Sequence, residues 1–218
     1  MSNWINDNYK PGLVSVVVPT YNRAELICET LNSVRSQSYR PIELLIIDDG
    51  STDNTEQIIN NWKKYHPDDL LFSTVYFKCP HDGPSAARNL GTSKSNGEFI
   101  NYLDSDDILN KFKIDNQIKQ SLLSNTTTYG SGQRFAADTE GIALYTIVLA
   151  PRPERALKDW FEGRFALSCS FLWRRKDIQY NGPWRENLDD GEFARRFLLK
   201  GGQWSFCSNA WSYYRIYT

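Results

Sequence analysis

Cysteine and histidine are scarce in this chain, and their spacing excludes two common kinds of site. The sequence contains four cysteines and two histidines, and no two cysteines form a C-x-x-C pair. His66 and His81 lie near none of the cysteines along the chain. A zinc site or a disulfide framework requires closer or more regularly spaced residues. We therefore expect the four thiols to be free and buried.

The chain also lacks an excess of charge of one sign and a long apolar run. Lys and Arg total 25 against 26 Asp and Glu, so the positive charge that drives binding to nucleic acids is missing. The longest apolar runs, at 14–18 and 44–47, are far shorter than a membrane span. Residues 1–10 are polar and do not resemble a secretory signal. These absences predict a cytoplasmic protein without a nucleic-acid partner.

The first half of the chain alternates strand and helix patterns. Short apolar or β-branched runs predict four strands, over residues 14–18, 42–47, 71–77 and 99–103. Apolar residues at helical spacing predict three helices between them, over 24–36, from the turn at 50–53 to about 65, and from Pro84 onward. Asp53 and Glu56 have the spacing of a capping box. This alternation predicts an α/β fold whose mainly parallel central sheet carries helices on both faces.

The second half has a different character. A helix is predicted at 110–123, followed by strands at 126–137 and 142–148 and a helix at 154–165. Half of the aromatic residues of the chain lie within 151–218. Large rings pack hydrophobic cores, but their faces also stack on sugars. This smaller C-terminal lobe is therefore either a ring-rich core or the wall of an acceptor site.

Two acidic clusters follow predicted strands. Asp48-Asp49 ends the run at 44–47, and Asp104-Ser105-Asp106-Asp107 ends the run at 99–103. Open α/β sheets bind ligands at the carboxyl ends of their strands, where gathered carboxylates repel one another unless a cation joins them. Mg²⁺ and Mn²⁺ commonly bridge carboxylates to substrate phosphates. We expect a metal–diphosphate site here, with helix capping as the alternative for each cluster.

Four motifs in a fixed order closely resemble the family 2 glycosyltransferases. They are Val14–Arg23, Ile47–Asp53, Ala86–Asn89 and Tyr102–Asp107. The resemblance covers residues 13–125 and continues more weakly to the end of the chain. It implies one domain over 1–218 with a GT-A, Rossmann-like fold. Residues 13–125 would bind a nucleotide sugar, and residues 126–218 would bind the acceptor.

The resemblance implies roles for the first two motifs in binding the nucleoside. Pro19, Thr20, Tyr21 and Arg23 belong to a loop that would hold the base and the ribose. Tyr21 would pack against the base, as aromatic rings do on flat bases. Asp49 would accept a hydrogen bond from the imide N–H of the base, which favours uracil or thymine.

The other two motifs would bind the diphosphate and the metal. Gly83 precedes a helix whose first amides could face the diphosphate, and Arg88 could add positive charge unless it is a surface arginine. Asp104-Ser105-Asp106 matches the D-x-D motif of the family. Asp104 and Ser105 would contact the donor, Asp104 reaching the ribose or the metal, and Asp106 would ligate Mg²⁺ or Mn²⁺ directly. Asp107 is expected to begin a helix.

The general base is assigned from a later segment. Asn187–Phe197 resembles the family segment that carries the base, usually written Glu-Asp ahead of an amphipathic helix. Asp190 matches the base and Asp189 would orient it, although position 189 has Asp in place of Glu. The alternative is that both merely stabilise a helix N-terminus. Trp184 is a candidate for stacking on the acceptor, with ordinary packing as the alternative.

The resemblance implies an inverting, metal-dependent transfer of a sugar from a nucleotide diphosphate, with UDP favoured, to a saccharide or lipid-linked acceptor. It leaves open peripheral association with the inner face of a membrane. One departure is that many relatives carry Arg-x-His, which brings a His toward the metal or the diphosphate, where this chain has Arg215-Ile216-Tyr217. A non-catalytic nucleotide-sugar-binding module therefore remains an alternative. A nucleotidyltransferase is a second alternative, which the absence of glycine from the loop at 19–23 disfavours.

Overall fold

The structure is a computed structural model that describes residues 4–138, 141–148, 151, 153–155, 158–159, 166–186 and 190–217. The first half alternates strands and helices as the sequence predicts, in the order β1 (Lys10–Thr20), α1 (Ile27–Arg35), β2 (Ile42–Asp48), α2 (Thr55–Tyr65), β3 (Phe72–Lys78), α3 (Pro84–Lys94) and β4 (Gly97–Tyr102).

The second half supplies the remaining described elements. They are β5 (Ile108–Leu109), α4 (Lys113–Ser124), β6 (Thr127–Asp138), β7 (Gly141–Val148), β8 (Phe171–Arg174), α5 (Arg175–Asn181), α6 (Asp190–Leu199) and β9 (Trp204–Arg215), with short 3₁₀ turns at Pro153–Arg155 and Ser168–Ser170. The helix predicted at 154–165 lies largely outside the described residues.

One sheet runs through the described part of the molecule, in the order β3-β2-β1-β4-β8-β6-β9-β5, and β7 pairs with β6. β1, β2, β3 and β4 are parallel, whereas β8 runs antiparallel to both β4 and β6. β6 and β9 are again parallel. The prediction of an α/β fold with a mainly parallel central sheet is confirmed for the first half, and the second half extends that sheet with mixed pairing.

Helices cover both faces of the sheet because alternate residues of the buried strands point to opposite sides. On one face, Val16 packs in a cluster with Leu31 of α1 and Ile118 of α4. On the other face, Val17 packs in a cluster with Ala87 of α3 and Phe193 of α6. A strand buried on both faces reads as a continuous apolar run, which explains the sequence at 14–18.

Several boundaries differ from the predicted ones for local reasons. β1 continues through Pro19 to Thr20, where Pro19 lies beside Ile47 of β2. The predicted capping box is wrong, because Asp53 accepts hydrogen bonds from the amide and the hydroxyl of Thr55 and from the amide of Ala24, and none from the amide of Glu56 is seen. Glu56 instead pairs with Lys78 at 2.8 Å.

In the described segments, no helix combines the length and the apolar character needed to cross a membrane.

Candidate functional site

A cavity of about 690 Å³ opens at the carboxyl ends of β1, β2 and β4. It collects residues that are far apart along the chain, because the ends of parallel strands meet at one edge of the sheet. Of the residues named from the sequence, the cavity is lined by Pro19, Thr20, Tyr21, Arg23, Asp49, Arg88, Asp104, Ser105 and Asp106. The lining also includes His81, Pro84 and Tyr214–Tyr217.

The loop after β1 is held in place by the loop after β2. Asn22 adopts a left-handed backbone conformation with φ 51°, and its side-chain oxygen accepts hydrogen bonds from the amides of Thr52 and Asp53. Its own amide donates to the hydroxyl of Ser51. These contacts present Tyr21, which is 40% exposed, on the wall of the cavity. The ring of Tyr21 therefore has an accessible surface for a flat ligand.

Asp49 closes the loop that leads into α3. Its carboxylate accepts hydrogen bonds from the amides of Asp82 at 2.8 Å and Gly83 at 3.0 Å. Nδ1 of His81 lies 2.8 Å from the same carboxylate. Gly83 has φ +90° and directly precedes α3, and Pro84 as the first helical residue has no N–H. The sequence predicts that the helix end at Gly83 faces the diphosphate. The Gly83 amide, however, already donates its hydrogen bond to Asp49.

Arg88 is buried and is not the surface arginine considered as an alternative. Its side chain is 5% exposed, and its guanidinium donates to Asp104 at 2.7 Å. The same group lies over the ring of Trp184, 4.8 Å from its centre. Hydrogen bonds to charged groups are among the stronger ones in proteins. Arg88 therefore fixes the orientation of Asp104 at the rim of the cavity.

Asp106 is held by residues from both ends of the chain. The hydroxyl of Tyr217 donates to its carboxylate at 2.5 Å, and a guanidinium nitrogen of Arg23 lies 3.5 Å away. Nε of Arg215 donates to the backbone carbonyl of Asp106. Partial burial and the bond to Asp106 raise the pKa of Tyr217 to about 12. At neutral pH, Tyr217 is thus a hydrogen-bond donor to Asp106.

Asp107 does not begin a helix, which corrects the expectation from the sequence. β5 follows it directly, and α4 begins only at Lys113. Asp107 is 1% exposed and accepts a hydrogen bond from the amide of Arg215 at 3.1 Å. Burial, with a further contribution from the charge of Asp104, raises the pKa of Asp107 well above its usual range. Its function in this structure is to attach β9 to the acidic loop, residues 104–107.

The donor set of the acidic loop fits a hard cation. Asp104 and Asp106 both line the cavity, and two carboxylates completed by substrate phosphates are a typical environment of Mg²⁺. Within the described ranges, no group of three or more His, Cys, Asp or Glu side chains could hold a metal by itself. The protein would therefore supply these two carboxylates, and the substrate would supply further oxygen ligands.

Trp184 is buried, and the expectation that it stacks on an acceptor is corrected. It is 6% exposed, and its ring stacks on Phe193 at 4.2 Å with an interplanar angle of 11°. Arg88 lies over the ring as well. Its backbone amide and carbonyl are both bonded to the side chain of Asn89. Trp184 connects α3 to α6 and offers no ring face to a sugar.

Asp190, which the sequence assigns as the general base, lies at the start of α6. Asp190 is the first residue of that helix, and Asp189 lies outside the described residues. The first turn of α6 is attached to the cavity through aromatic contacts. Phe193 stacks on Trp184, which in turn contacts Arg88 in the cavity wall. The role of Asp190 as general base therefore stays a prediction. The helix that begins with this residue packs behind the cavity.

Sequence reasoning missed His81, and it noted the segment that ends in Tyr217 only as a departure from the Arg-x-His of relatives. His81 follows β3 directly before the Asp82-Gly83 turn, and the turn before a helix at a strand end could have drawn attention to it. Tyr214 and Tyr217 come from the end of β9, which reaches the cavity because β9 pairs with β5 beside the acidic loop. No local pattern in the sequence predicts that pairing.

Comparison with solved structures gives the class of fold. The chain superimposes on TarS of S. aureus in complex with UDP-GlcNAc with a TM-score of 0.71 and 22% identity, covering 94% of this chain and 59% of that one. It superimposes on the mannosyltransferase PcManGT of Pyrobaculum calidifontis, solved with GDP-Man and Mn²⁺, with a TM-score of 0.67 and 20% identity, covering 96% and 59%. The chain has the GT-A glycosyltransferase fold.

Comparison of sequences gives the family. The model of glycosyl transferase family 2 matches residues 15–182, so the chain belongs to that family. It is 38% identical over 129 residues to an uncharacterised glycosyltransferase of Haemophilus influenzae, covering 59% of this chain and 50% of that protein. It is 38% identical over 144 residues to TuaG of Bacillus subtilis, named provisionally for teichuronic acid biosynthesis, covering 66% and 55%. The chain thus spans about half the length of these relatives.

Proposed function

We propose that this chain transfers a sugar, with inversion, from a nucleotide diphosphate sugar to a saccharide or lipid-linked acceptor. One observation carries the proposal. Nine residues named from separate sequence motifs line a single cavity at the carboxyl ends of the parallel strands. Such cavities are the usual ligand sites of open α/β sheets. A ring, two carboxylates and a buried arginine within one cavity suit a nucleoside diphosphate and a divalent cation.

The identity of the donor is proposed as UDP-linked. The names of the solved structures support a nucleotide sugar in general, since TarS was solved with UDP-GlcNAc and PcManGT with GDP-Man. The proposal for the acceptor rests on the name of one relative. A Campylobacter jejuni relative, 33% identical over 96 residues, is named as a glucosyltransferase acting on a lipid-linked (undecaprenol diphosphate) saccharide. Such an acceptor would bring the protein to the inner face of a membrane.

Asp104 and Asp106 would hold Mg²⁺ or Mn²⁺ against the diphosphate. When bound, the metal neutralises the charge that develops on the departing nucleoside diphosphate. Arg88 occupies one oxygen of Asp104 at 2.7 Å, whereas the other oxygen has a long contact of 3.4 Å with the hydroxyl of Ser168. Of the two Asp104 oxygens, this second one is therefore better placed to bind the metal ion. Arg23 lies beside Asp106 and can bind phosphate oxygens once they enter the cavity.

Asp190 would act as the general base. A single displacement requires a carboxylate that accepts the proton of the acceptor hydroxyl while its oxygen attacks the anomeric carbon. The bond to the diphosphate breaks on the opposite side of the sugar, which inverts the configuration. The position of Asp190 at the first turn of α6 supports this role, because that turn is attached through Phe193 and Trp184 to the cavity wall.

The test replaces Asp190 by Asn, which removes the proton acceptor and preserves the size of the side chain. Transfer, measured as saccharide product formed from UDP-sugar and acceptor, should fall at least about a hundredfold. Nucleotide binding, measured by calorimetry with Mn²⁺, should change less than about twofold because the base does not contact the nucleotide.

Asp115→Asn is the matched control, since Asp115 pairs with Lys119 on the surface of α4, away from the cavity lining. Unchanged turnover in the Asp190→Asn variant would remove Asp190 from the mechanism. Nucleotide binding by the unmodified chain without any transfer or donor hydrolysis would instead favour a non-catalytic binding module.

A further inference from the structure

Tyr217, two residues beyond the end of β9, reaches the acidic loop with its side chain. Its hydroxyl donates to Oδ2 of Asp106 at 2.5 Å, and a guanidinium nitrogen of Arg23 lies 3.5 Å from the same oxygen. No described residue donates to the other carboxylate oxygen, Oδ1. The side chain of Asp106 is 17% exposed and belongs to the lining of the cavity. The protein thus holds one oxygen of Asp106 and leaves the other available to a ligand.

Asp104 shows the same division between its two oxygens. Oδ1 accepts a hydrogen bond from Arg88 at 2.7 Å, whereas Oδ2 has a long contact of 3.4 Å with the hydroxyl of Ser168. Carboxylates that bind a metal are themselves oriented by hydrogen bonds from neighbouring groups, and the loss of such a neighbour weakens metal binding. In both carboxylates of the D-x-D motif, a protein donor at one oxygen therefore fixes the direction of the other.

The backbone that carries Tyr217 is attached to the acidic loop independently of the tyrosine ring. The amide of Arg215 donates to Asp107 at 3.1 Å, and Nε of Arg215 donates to the backbone carbonyl of Asp106 at 3.1 Å. The guanidinium of Arg215 also pairs with Glu29 of α1 at 2.5 Å. Tyr217 itself is 66% exposed. A fixed backbone therefore delivers its hydroxyl to Asp106, although the ring contributes little to the packing of the core.

We infer that Tyr217 is a positioning residue of the metal site, which orients Asp106 so that Oδ1 faces Mg²⁺ or Mn²⁺. Its contact with Asp106 is 1.0 Å shorter than that of Arg23 (3.5 Å against 2.5 Å), so the hydroxyl is the closer of the two donors. This inference rests on the proposed function. It adds to that function a residue that contacts neither the nucleotide nor the metal and acts through Asp106.

The test removes the hydroxyl with Tyr217→Phe and measures UDP binding by calorimetry, once at a fixed concentration of Mn²⁺ and once in chelator. With Mn²⁺, the affinity should fall about fivefold, because Asp106 loses the donor that orients it. In chelator, it should change less than about twofold, because no hydrogen bond to the nucleotide is removed. Tyr65→Phe is the matched control, since Tyr65 is 83% exposed and lies outside the cavity lining.

A double-variant cycle measures whether Tyr217 acts through Asp106. In the Asp106→Ala background no carboxylate is left to orient, so the further change Tyr217→Phe should lower the affinity for UDP with Mn²⁺ by less than about twofold. Two changes that act independently would instead multiply, and the double variant would lose about the same fivefold again. That second result is expected if Tyr217 has only a structural role, and it would overturn the inference.

Three results of the single Tyr217→Phe variant would also overturn it. An equal loss of UDP affinity with Mn²⁺ and in chelator would mean that Tyr217 contacts the nucleotide directly. A gain of affinity with Mn²⁺ would mean that the hydroxyl competes with the metal for Asp106. An unchanged affinity would mean that the hydrogen bond has no part in metal binding.

The unmodified chain separates the failure of this inference from the failure of the proposed function. In each of those three results the unmodified chain still binds UDP, so the proposed function stands. If the unmodified chain binds no UDP under either condition, the proposed function fails and the inference fails with it. Melting temperatures of all variants, measured without nucleotide, verify that each protein is folded.

Discussion

At the scale of single residues, the two carboxylates of the D-x-D motif have different surroundings. Asp104 is tied to the buried Arg88, whereas Asp106 is held by the hydroxyl of Tyr217 and lies near Arg23. Asp106→Ala should weaken UDP binding at least about tenfold in the presence of Mn²⁺, because the proposed direct metal ligand is lost. In chelator, binding should be unchanged. Titration calorimetry in both buffers measures this difference.

Asp82→Ala is the control for this comparison, since Asp82 is exposed and lies outside the cavity lining. An equal loss of UDP affinity with Mn²⁺ and with chelator would refute a metal role for Asp106. It would indicate instead that removing the carboxylate disturbs the position of Tyr217 or Arg23.

Trp184 is a packed interior residue, so its truncation should be costly. Its ring lies between Phe193 and the guanidinium of Arg88. Trp184→Ala should lower the free energy of unfolding by about 3–5 kcal/mol, as large-to-small changes in cores do. Tyr65→Ala, at an aromatic residue that is 83% exposed, should change it by less than about 0.5 kcal/mol. Urea denaturation measures both, and a stable Trp184→Ala protein with a raised KM for acceptor would restore the stacking role.

At the scale of elements, α3 carries Arg88 and depends on a close approach to β1. A Cβ atom on Gly91 would lie 2.3 Å from a methyl carbon of Val17, whose β-branched side chain has little rotational freedom. Gly→Ala inside a helix normally stabilises by about 1 kcal/mol. Here the overlap should reverse the sign and lower the free energy of unfolding by about 1 kcal/mol or more.

Equilibrium unfolding of four proteins tests this explanation: the unmodified chain, Gly91→Ala, Val17→Ala and the double variant. If the overlap with Val17 is the cause, Gly91→Ala should cost less in the Val17→Ala background than alone. A cost that is the same in both backgrounds would place the strain elsewhere in α3.

At the scale of the whole molecule, a buried lysine makes stability depend on pH. Lys113 is fully buried and donates to Gln117 at 2.6 Å. Burial lowers the pKa of Lys113 to about 7. Between pH 7 and the ordinary lysine pKa of about 10.4, the unfolded chain binds a proton that the folded chain does not. The free energy of unfolding therefore rises with pH between pH 7 and about 10.4. It decreases again as the pH falls through the same range.

Lys113→Met removes this titration. The free energy of unfolding of the unmodified chain, relative to the variant, should increase between pH 7 and pH 9 by up to about 1.4 kcal/mol per pH unit. Lys111→Met, at an exposed lysine two residues away, should show a flat difference over the same range. Urea unfolding at several pH values measures both, and a flat difference for Lys113→Met would mean that Lys113 remains charged when folded.

Local sequence patterns are enough to specify the α/β alternation, the family and most of the cavity. A buried parallel strand is a short apolar run, and the residues that follow it must lie at the ligand-binding edge of the sheet. Asp49, Asp104 and Asp106 are therefore predictable as cavity residues from the amino-acid sequence, and all three line the cavity.

The partners of these residues depend instead on the tertiary structure. The contact of Tyr217 with Asp106 joins positions 111 residues apart, and that of Asp49 with the Gly83 amide joins positions 34 apart. The burial of Trp184 and the attachment of Asp107 to β9 likewise depend on which elements pack together. Local propensity extends over a few residues, whereas hydrogen-bond partners in a cavity are set by the packing of strands and helices distant in sequence.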